Sequence, residues 1–71
     1  MNELDLHGVP HPDVYIKVEN FVLLNKTPLY IITGRSEKMI ELATKPLRRN
    51  SFIWVIHSHN PGMITVLGVE K

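Results

Sequence analysis

Asp5 and His7 alternate with Leu4 and Leu6 in the stretch LDLHG at residues 4–8, and Gly8 closes it. A carboxylate can hold a metal ion or take a proton from an attacking hydroxyl, and an imidazole titrating near neutrality can protonate a leaving oxygen. A second stretch, TGRS at residues 33–36, sets a glycine turn and a guanidinium ahead of an apolar-periodic segment. An arginine beside free backbone N–H groups stabilises charge on a phosphate. Together the two stretches hold the parts of phosphodiester chemistry. Asp5 is the candidate base or metal ligand, with a divalent cation such as magnesium as the implied cofactor. His7 is the candidate acid, and Gly8, Thr33, Gly34, Arg35, Ser36 and Lys38 are the candidate phosphate contacts.

These groups can act together only if the elements that carry them end at one place. ELDLHG alternates apolar and polar residues, the period of a half-buried strand, so Leu4 and Leu6 face a core while Asp5 and His7 face away from it. Pro12 suits the first turn of a helix, and Asp13 beside it complements the dipole. Val14, Val18, Phe21 and Val22 then form one apolar stripe that runs to about Leu24. PLYIIT reads as a short buried strand stopped by Gly34. Ser36 caps a second helix with Glu37 in its first turn, and Met39, Ile40, Leu42 and Ala43 form its buried side. A proline inside a helix removes a hydrogen bond and clashes with the preceding turn, so this helix is expected to stop near Thr44 or restart at Pro46. SFIWVIH reads as a strand, SHNPG as a turn and MITVLGV as the last strand.

The element order is β-α-β-α-β-β. Right-handed crossovers put both helices on one face of the sheet, which predicts a two-layer α/β sandwich of the α+β class with the other sheet face open. If the first two strands are parallel neighbours, His7 with Gly8 and Thr33 with Gly34 end on the same carboxyl edge, where ligands bind in open α/β sheets.

Composition limits the alternatives. Seventy-one residues, 44% of them hydrophobic and 21% charged, give one small domain spanning residues 1–71 with a packed core. The chain contains no cysteine, which excludes a disulfide framework and a thiolate zinc site. No apolar run reaches the roughly 20 residues of a membrane span, and the expected setting is a soluble, cytoplasmic one. The net charge of +1 is unevenly placed. Residues 1–34 set Lys17 and Lys26 against Glu3, Asp5, Asp13 and Glu19, whereas residues 35–49 set Arg35, Lys38, Lys45, Arg48 and Arg49 against Glu37 and Glu41. A local surplus of this kind marks either a phosphate-facing surface or a solvated helix face.

LDLHG, the helix that follows it, IITG closing the second strand and PGMITV in a terminal hairpin resemble the small MutS-related (Smr) domain family over nearly the whole chain. The resemblance implies a fold like the C-terminal domain of bacterial translation initiation factor three, with a mixed sheet of order 1-2-4-3. It also implies binding of DNA or RNA and, for several members, nicking of DNA or cleavage of RNA. By the first motif the family's active pair falls on Asp5 and His7, and its TGxG motif falls on Thr33, Gly34 and Arg35. The second glycine of that motif is replaced by Ser36, and the glycine-rich loop that usually follows is nearly absent, so the cradle is reduced.

Other constellations are weaker. His57 and His59 project to one side of a strand, and imidazole is a common zinc ligand. With strands one and three at opposite edges, roughly 14 Å apart at about 4.8 Å per strand, a site joining them to His7 and His11 is not expected. Tyr30 and Trp54 fall by alternation in the core or on the open face, and a domain this small places its large side chains in the core. On the open face such rings would stack bases or line a homodimer interface. Arg48 and Arg49 contact phosphates or complement the C-terminal end of the second helix. The residues thus leave three functional classes: an endonuclease, a non-catalytic nucleic-acid-binding module and a small protein-interaction domain.

Overall fold

The computed structural model describes residues 2–57 and 59–70. In chain order they form β1 (Glu3–Asp5), α1 (His11–Leu24), β2 (Leu29–Ile32), α2 (Glu37–Arg49), β3 (Phe52–His57) and β4 (Asn60–Val69). The sheet is mixed, with order β1-β2-β4-β3. β1 is parallel to β2, and β4 is antiparallel to both β2 and β3. The carboxyl ends of β1, β2 and β3 therefore share one edge with the amino end of β4.

Parity decides the two faces. Leu4 lies opposite Ile31, and Ile31 lies opposite Ile64; Leu29 with Val66 and Trp54 with Val66 continue the same face. Against it pack Val14, Val18, Phe21 and Val22 of α1 and Met39, Ala43 and Leu47 of α2, in one cluster with Leu6 and Phe52. Both helices thus cover one face, as the crossover rule requires. α1 begins after Pro10 with Pro12 in its first turn, where the missing N–H has no helical partner to lose. At its end the Asn25 amide donates to the Phe21 carbonyl at 2.8 Å. α2 begins at a true side-chain cap, the Ser36 hydroxyl accepting from the Met39 N–H at 3.2 Å.

Three local expectations are corrected. α2 runs through Pro46 to Arg49. The proline ring is fully buried, so its packing offsets the lost bond. Beside the disrupted turn the Thr44 hydroxyl donates to the Glu41 carbonyl at 3.0 Å, and Asn50 closes the helix by donating from backbone and side chain to the Pro46 carbonyl. The buried side of α2 accordingly extends to Thr44, Pro46 and Leu47, while Ile40 and Leu42 are half-buried. Asn60, Pro61 and Gly62, expected in a turn, open β4 instead, and Ser58 of that stretch lies outside the described residues. The β3–β4 pairing passes from Ile56 with Ile64 directly to His57 with Asn60. Pro61 to Met63 bulge away from β3, so the proline is not required to donate to that strand.

Trp54 packs on the core, under the Arg48 guanidinium at 5.6 Å, which ties the last turn of α2 to β3 through a cation–π contact. Tyr30 lies opposite Thr65, on the open face.

Leu47 is fully buried where α2 meets the sheet side, whereas Ile16 is half-exposed on α1. Leu47→Ala is expected to lower the unfolding free energy by about 2–5 kcal/mol and Ile16→Ala to change it by less than about 0.5 kcal/mol. Urea unfolding of the two variants checks this, and equal effects would contradict the placement of the core.

Candidate functional site

β1 hands its last residues to a tight turn. The Leu6 N–H still donates to the Ile32 carbonyl at 2.9 Å, and the Val9 N–H returns to the Leu6 carbonyl at 3.1 Å. Gly8 takes φ +78°, and a Cβ there would meet open space, so the position favours glycine for its backbone conformation alone. Between these bonds the Asp5 carboxylate folds over its own neighbour. Its Oδ1 accepts the His7 backbone N–H at 2.9 Å and lies 2.6 Å from the ring Nδ1. The carboxylate is the acceptor, so the bond assigns the ring proton to Nδ1. Nε2 is then the nitrogen left to act on a ligand.

Both side chains are open to solvent, at 57% exposure for Asp5 and 67% for His7. The Asp5 carboxyl is held below its ordinary value of 3.8, first by the backbone N–H of His7, then by the side-chain bond and the charge of the ring.

β2 delivers the second stretch to the same edge. The Thr33 and Gly34 N–H groups both donate to the Gly62 carbonyl, at 2.8 and 3.1 Å. The Thr33 hydroxyl donates to the Gly34 carbonyl at 2.9 Å and lies 3.2 Å from that of Gly62. Gly34 takes φ +69°, and a Cβ on it would stand 3.4 Å from His7 Nε2. The imidazole thus occupies the space where a side chain at position 34 would begin. A Cβ on Gly62 would come within 3.3 Å of the Gly34 backbone, so β4 and the loop after β2 approach each other main chain to main chain.

The candidates therefore divide. Asp5, His7, Gly8, Thr33, Gly34, Arg35 and Ser36 all lie at one edge, and His7 touches the position of Gly34. Thr33 is buried and holds the loop together. Ser36 caps α2. Arg35 is exposed, and no ion pair to it forms among the described residues. Lys38 is the second residue of α2, in a loose 3.8 Å pair with Glu41. Since the Thr33 and Gly34 amides are engaged and Ser36 caps the Met39 amide, a phosphate at this edge has Arg35 and the remaining first-turn amides of α2.

Among the described residues no group of three or more histidines, cysteines or acids converges as metal ligands. Asp5 offers one carboxylate oxygen not tied to His7, which is not a protein cage for a divalent ion. His57 sits on the far edge strand, its Nε2 3.0 Å from the Thr65 hydroxyl, with the His59 ring 5.8 Å away. Gly62 was not among the residues the sequence pointed to. Its signal was a glycine beside a proline at a strand end, a pattern that marks either a turn or a close backbone approach.

An open groove of about 490 Å³, lined by Val22, Leu23, Asn25, Lys26, Thr27, Phe52 and Val69, lies at the opposite edge of the sheet and contains no acid or histidine. No helix among the described residues is long and apolar enough to cross a membrane. Comparison of the chain with protein-family models, with curated proteins and with solved structures found no match.

The lowered pKa of Asp5 favours the folded state above the ordinary carboxylate value, and this contribution is lost as pH falls through the lowered value. A carbon-detected NMR titration is expected to place the Asp5 midpoint below 3.8, and His7→Ala to return it towards that number; an unchanged midpoint in the variant would contradict the assigned cause. Gly62→Ala is expected to spread the loop and perturb the Thr33, Gly34 and His7 resonances, whereas shifts confined to position 62 would contradict the close approach.

Proposed function

We propose that this chain is a nucleic-acid-binding domain similar to the Smr family that cleaves phosphodiester bonds, as a nicking or RNA-cleaving endonuclease. The observation that carries the reading is the Asp5–His7 bond of 2.6 Å, which fixes the imidazole and leaves Nε2 beside the Gly34–Arg35 loop. An orienting carboxylate behind a histidine is the arrangement of a general acid–base, because it sets the tautomer and stabilises the charged ring.

In the proposed reaction the His7 ring enters doubly protonated, and its Nε2–H gives its proton to the leaving oxygen as the P–O bond breaks, leaving the neutral ring with its proton on Nδ1. The oxygen of an attacking water bonds to phosphorus, and a proton from that water restores the ring. The net change adds water across one P–O bond. Asp5 stays ionised and positions His7. Arg35 faces the non-bridging oxygens, where charge develops. The residues at this edge do not form a metal cage, and no step depends on one.

A second reading, a binding module without turnover, is favoured by the engagement of the Thr33 and Gly34 amides with Gly62, which leaves fewer donors for a transition state. Salt distinguishes binding of either kind from none, since log K falls with log salt by about 0.7–0.9 per phosphate neutralised.

Incubated with supercoiled plasmid and with single-stranded RNA, with and without magnesium, the wild-type protein is expected to cleave at least one. His7→Ala is expected to lose about 10²–10⁴-fold, Asp5→Asn to lose activity while still binding, and Arg35→Ala to weaken binding. Equal rates for wild type, Asp5→Ala and His7→Ala would remove catalysis, and salt-dependent binding in that case would leave the module reading standing.

A further inference from the structure

The two edges of the sheet are built differently. β1 is three residues long and carries Glu3 and Asp5, and charges on a short edge strand deter pairing with another chain. β3 is six residues long, FIWVIH, with no proline, lysine or acid, and β4 is its one neighbour among the described residues. Its Ile53, Val55 and Ile56 are 45%, 40% and 41% exposed.

The ladder shows which backbone groups this edge leaves open. The Thr33 N–H bonds to the Gly62 carbonyl, so in the β2 and β4 pairing the even-numbered residues of β4 turn to β2, and Thr65 turns to β3. Val55, opposite Thr65, therefore bonds to β4, and the N–H and C=O of Trp54 and Ile56 point outward. The Ser51 carbonyl, which accepts the Glu70 N–H at 2.7 Å, has the same parity as Val55. A row of alternating donors and acceptors is matched by an extended strand.

We propose that the occupant of this edge is β3 of a second copy, paired antiparallel about a two-fold axis through Val55 into one continuous sheet. Trp54 then lies opposite the partner's Ile56 and Ile56 opposite the partner's Trp54, so each outward N–H and C=O finds a mate. Val55 meets the partner's Val55 at the closer spacing of positions that do not bond.

Side chains and charge select the copy. Ile56 lies opposite Ile64, on the helix face of the sheet, yet it stays 41% exposed at the rim; the partner's Trp54 covers it. Glu37 and Arg48 are about three turns apart and so share one side of α2. Arg48 stacks on Trp54 at 5.6 Å, which turns that side towards β3. Neither residue forms an ion pair among the described residues. The axis lays the two α2 helices side by side in opposite directions, so each Arg48 approaches the end where the partner's Glu37 stands. An axis through Trp54 would also satisfy the backbone, but it would bring the two Arg48 guanidinium groups together. Pairing uses β3 of both copies and leaves only the acid-bearing β1 edges, so the assembly closes at two. The inference does not rest on the phosphodiester reading, because none of these residues belongs to that site.

Sedimentation velocity from low micromolar to near-millimolar concentration is expected to show the apparent mass rising towards twice that of the chain. Ile56→Pro removes an outward N–H and leaves the bonds from β3 to β4 intact. It is expected to weaken association on the order of 100-fold while retaining the wild-type circular dichroism. Glu37→Lys is expected to weaken it on the order of tenfold. The chain has no native cysteine, so air oxidation reads the register independently of the proline variant. Val55→Cys is expected to form a disulfide dimer, since facing positions that do not bond lie about 4.5 Å apart at Cα. Ile53→Cys, opposite the partner's His57, is not. A monomer at every concentration would overturn the proposal and leave the edge to a strand of another protein. Association undiminished in Ile56→Pro, or Ile53→Cys cross-linking as readily as Val55→Cys, would also overturn it.

Discussion

The Gly62 carbonyl receives the amides of both Thr33 and Gly34, and it does so because neither Gly34 nor Gly62 carries a side chain. A Cβ on either would meet a neighbour at 3.3–3.4 Å, the imidazole of His7 in one case and the backbone of Gly34 in the other. This main-chain junction joins the end of β2 to the start of β4, so the two middle strands of the sheet close together at the carboxyl edge. The edge strand β1 then has a fixed surface against which its last residues turn. His7 lies on that surface, and Asp5, one strand position earlier on the same face, reaches back to hold it.

Three kinds of constraint meet at this edge. Parity in β1 sends Leu4 and Leu6 to the core and leaves Asp5 and His7 outside. A hydrogen bond between residues two apart sets the ring and its tautomer. Helix capping by Ser36 starts α2 immediately after the loop, so the connection from β2 to α2 is short. The outcome is a well-oriented imidazole beside a short loop that carries one exposed guanidinium.

Much of this was legible in the residues. Alternation gave β1, the i, i+4, i+7, i+8 stripe of Val14, Val18, Phe21 and Val22 gave α1, and a serine before an acid gave the start of α2; these signals are local and strong. The parts that were not legible depend on partners distant in sequence. Pro46 marks a break on its local cost alone, whereas its compensation comes from burial of the ring in the tertiary structure. Asn60 to Gly62 have the composition of a turn, whereas a bulge against β3 admits them to a strand. Tyr30 and Trp54 are similar in type and differ in face only through the register of β4 between their strands. For the site, the two stretches and their common edge followed from pattern, but the carbonyl that binds them, that of Gly62, followed only from the tertiary approach.

The central claim is that Asp5 fixes His7 with Nε2 as its working nitrogen next to the Gly34–Arg35 loop. Long-range ¹H–¹⁵N correlation of the histidine rings, with and without a short single-stranded RNA or DNA, tests it most directly. The account predicts that neutral His7 carries its proton on Nδ1 and that the oligonucleotide shifts His7 Nε2 together with the Arg35 amide. A neutral ring protonated on Nε2, or shifts that leave both of these signals in place, would contradict it.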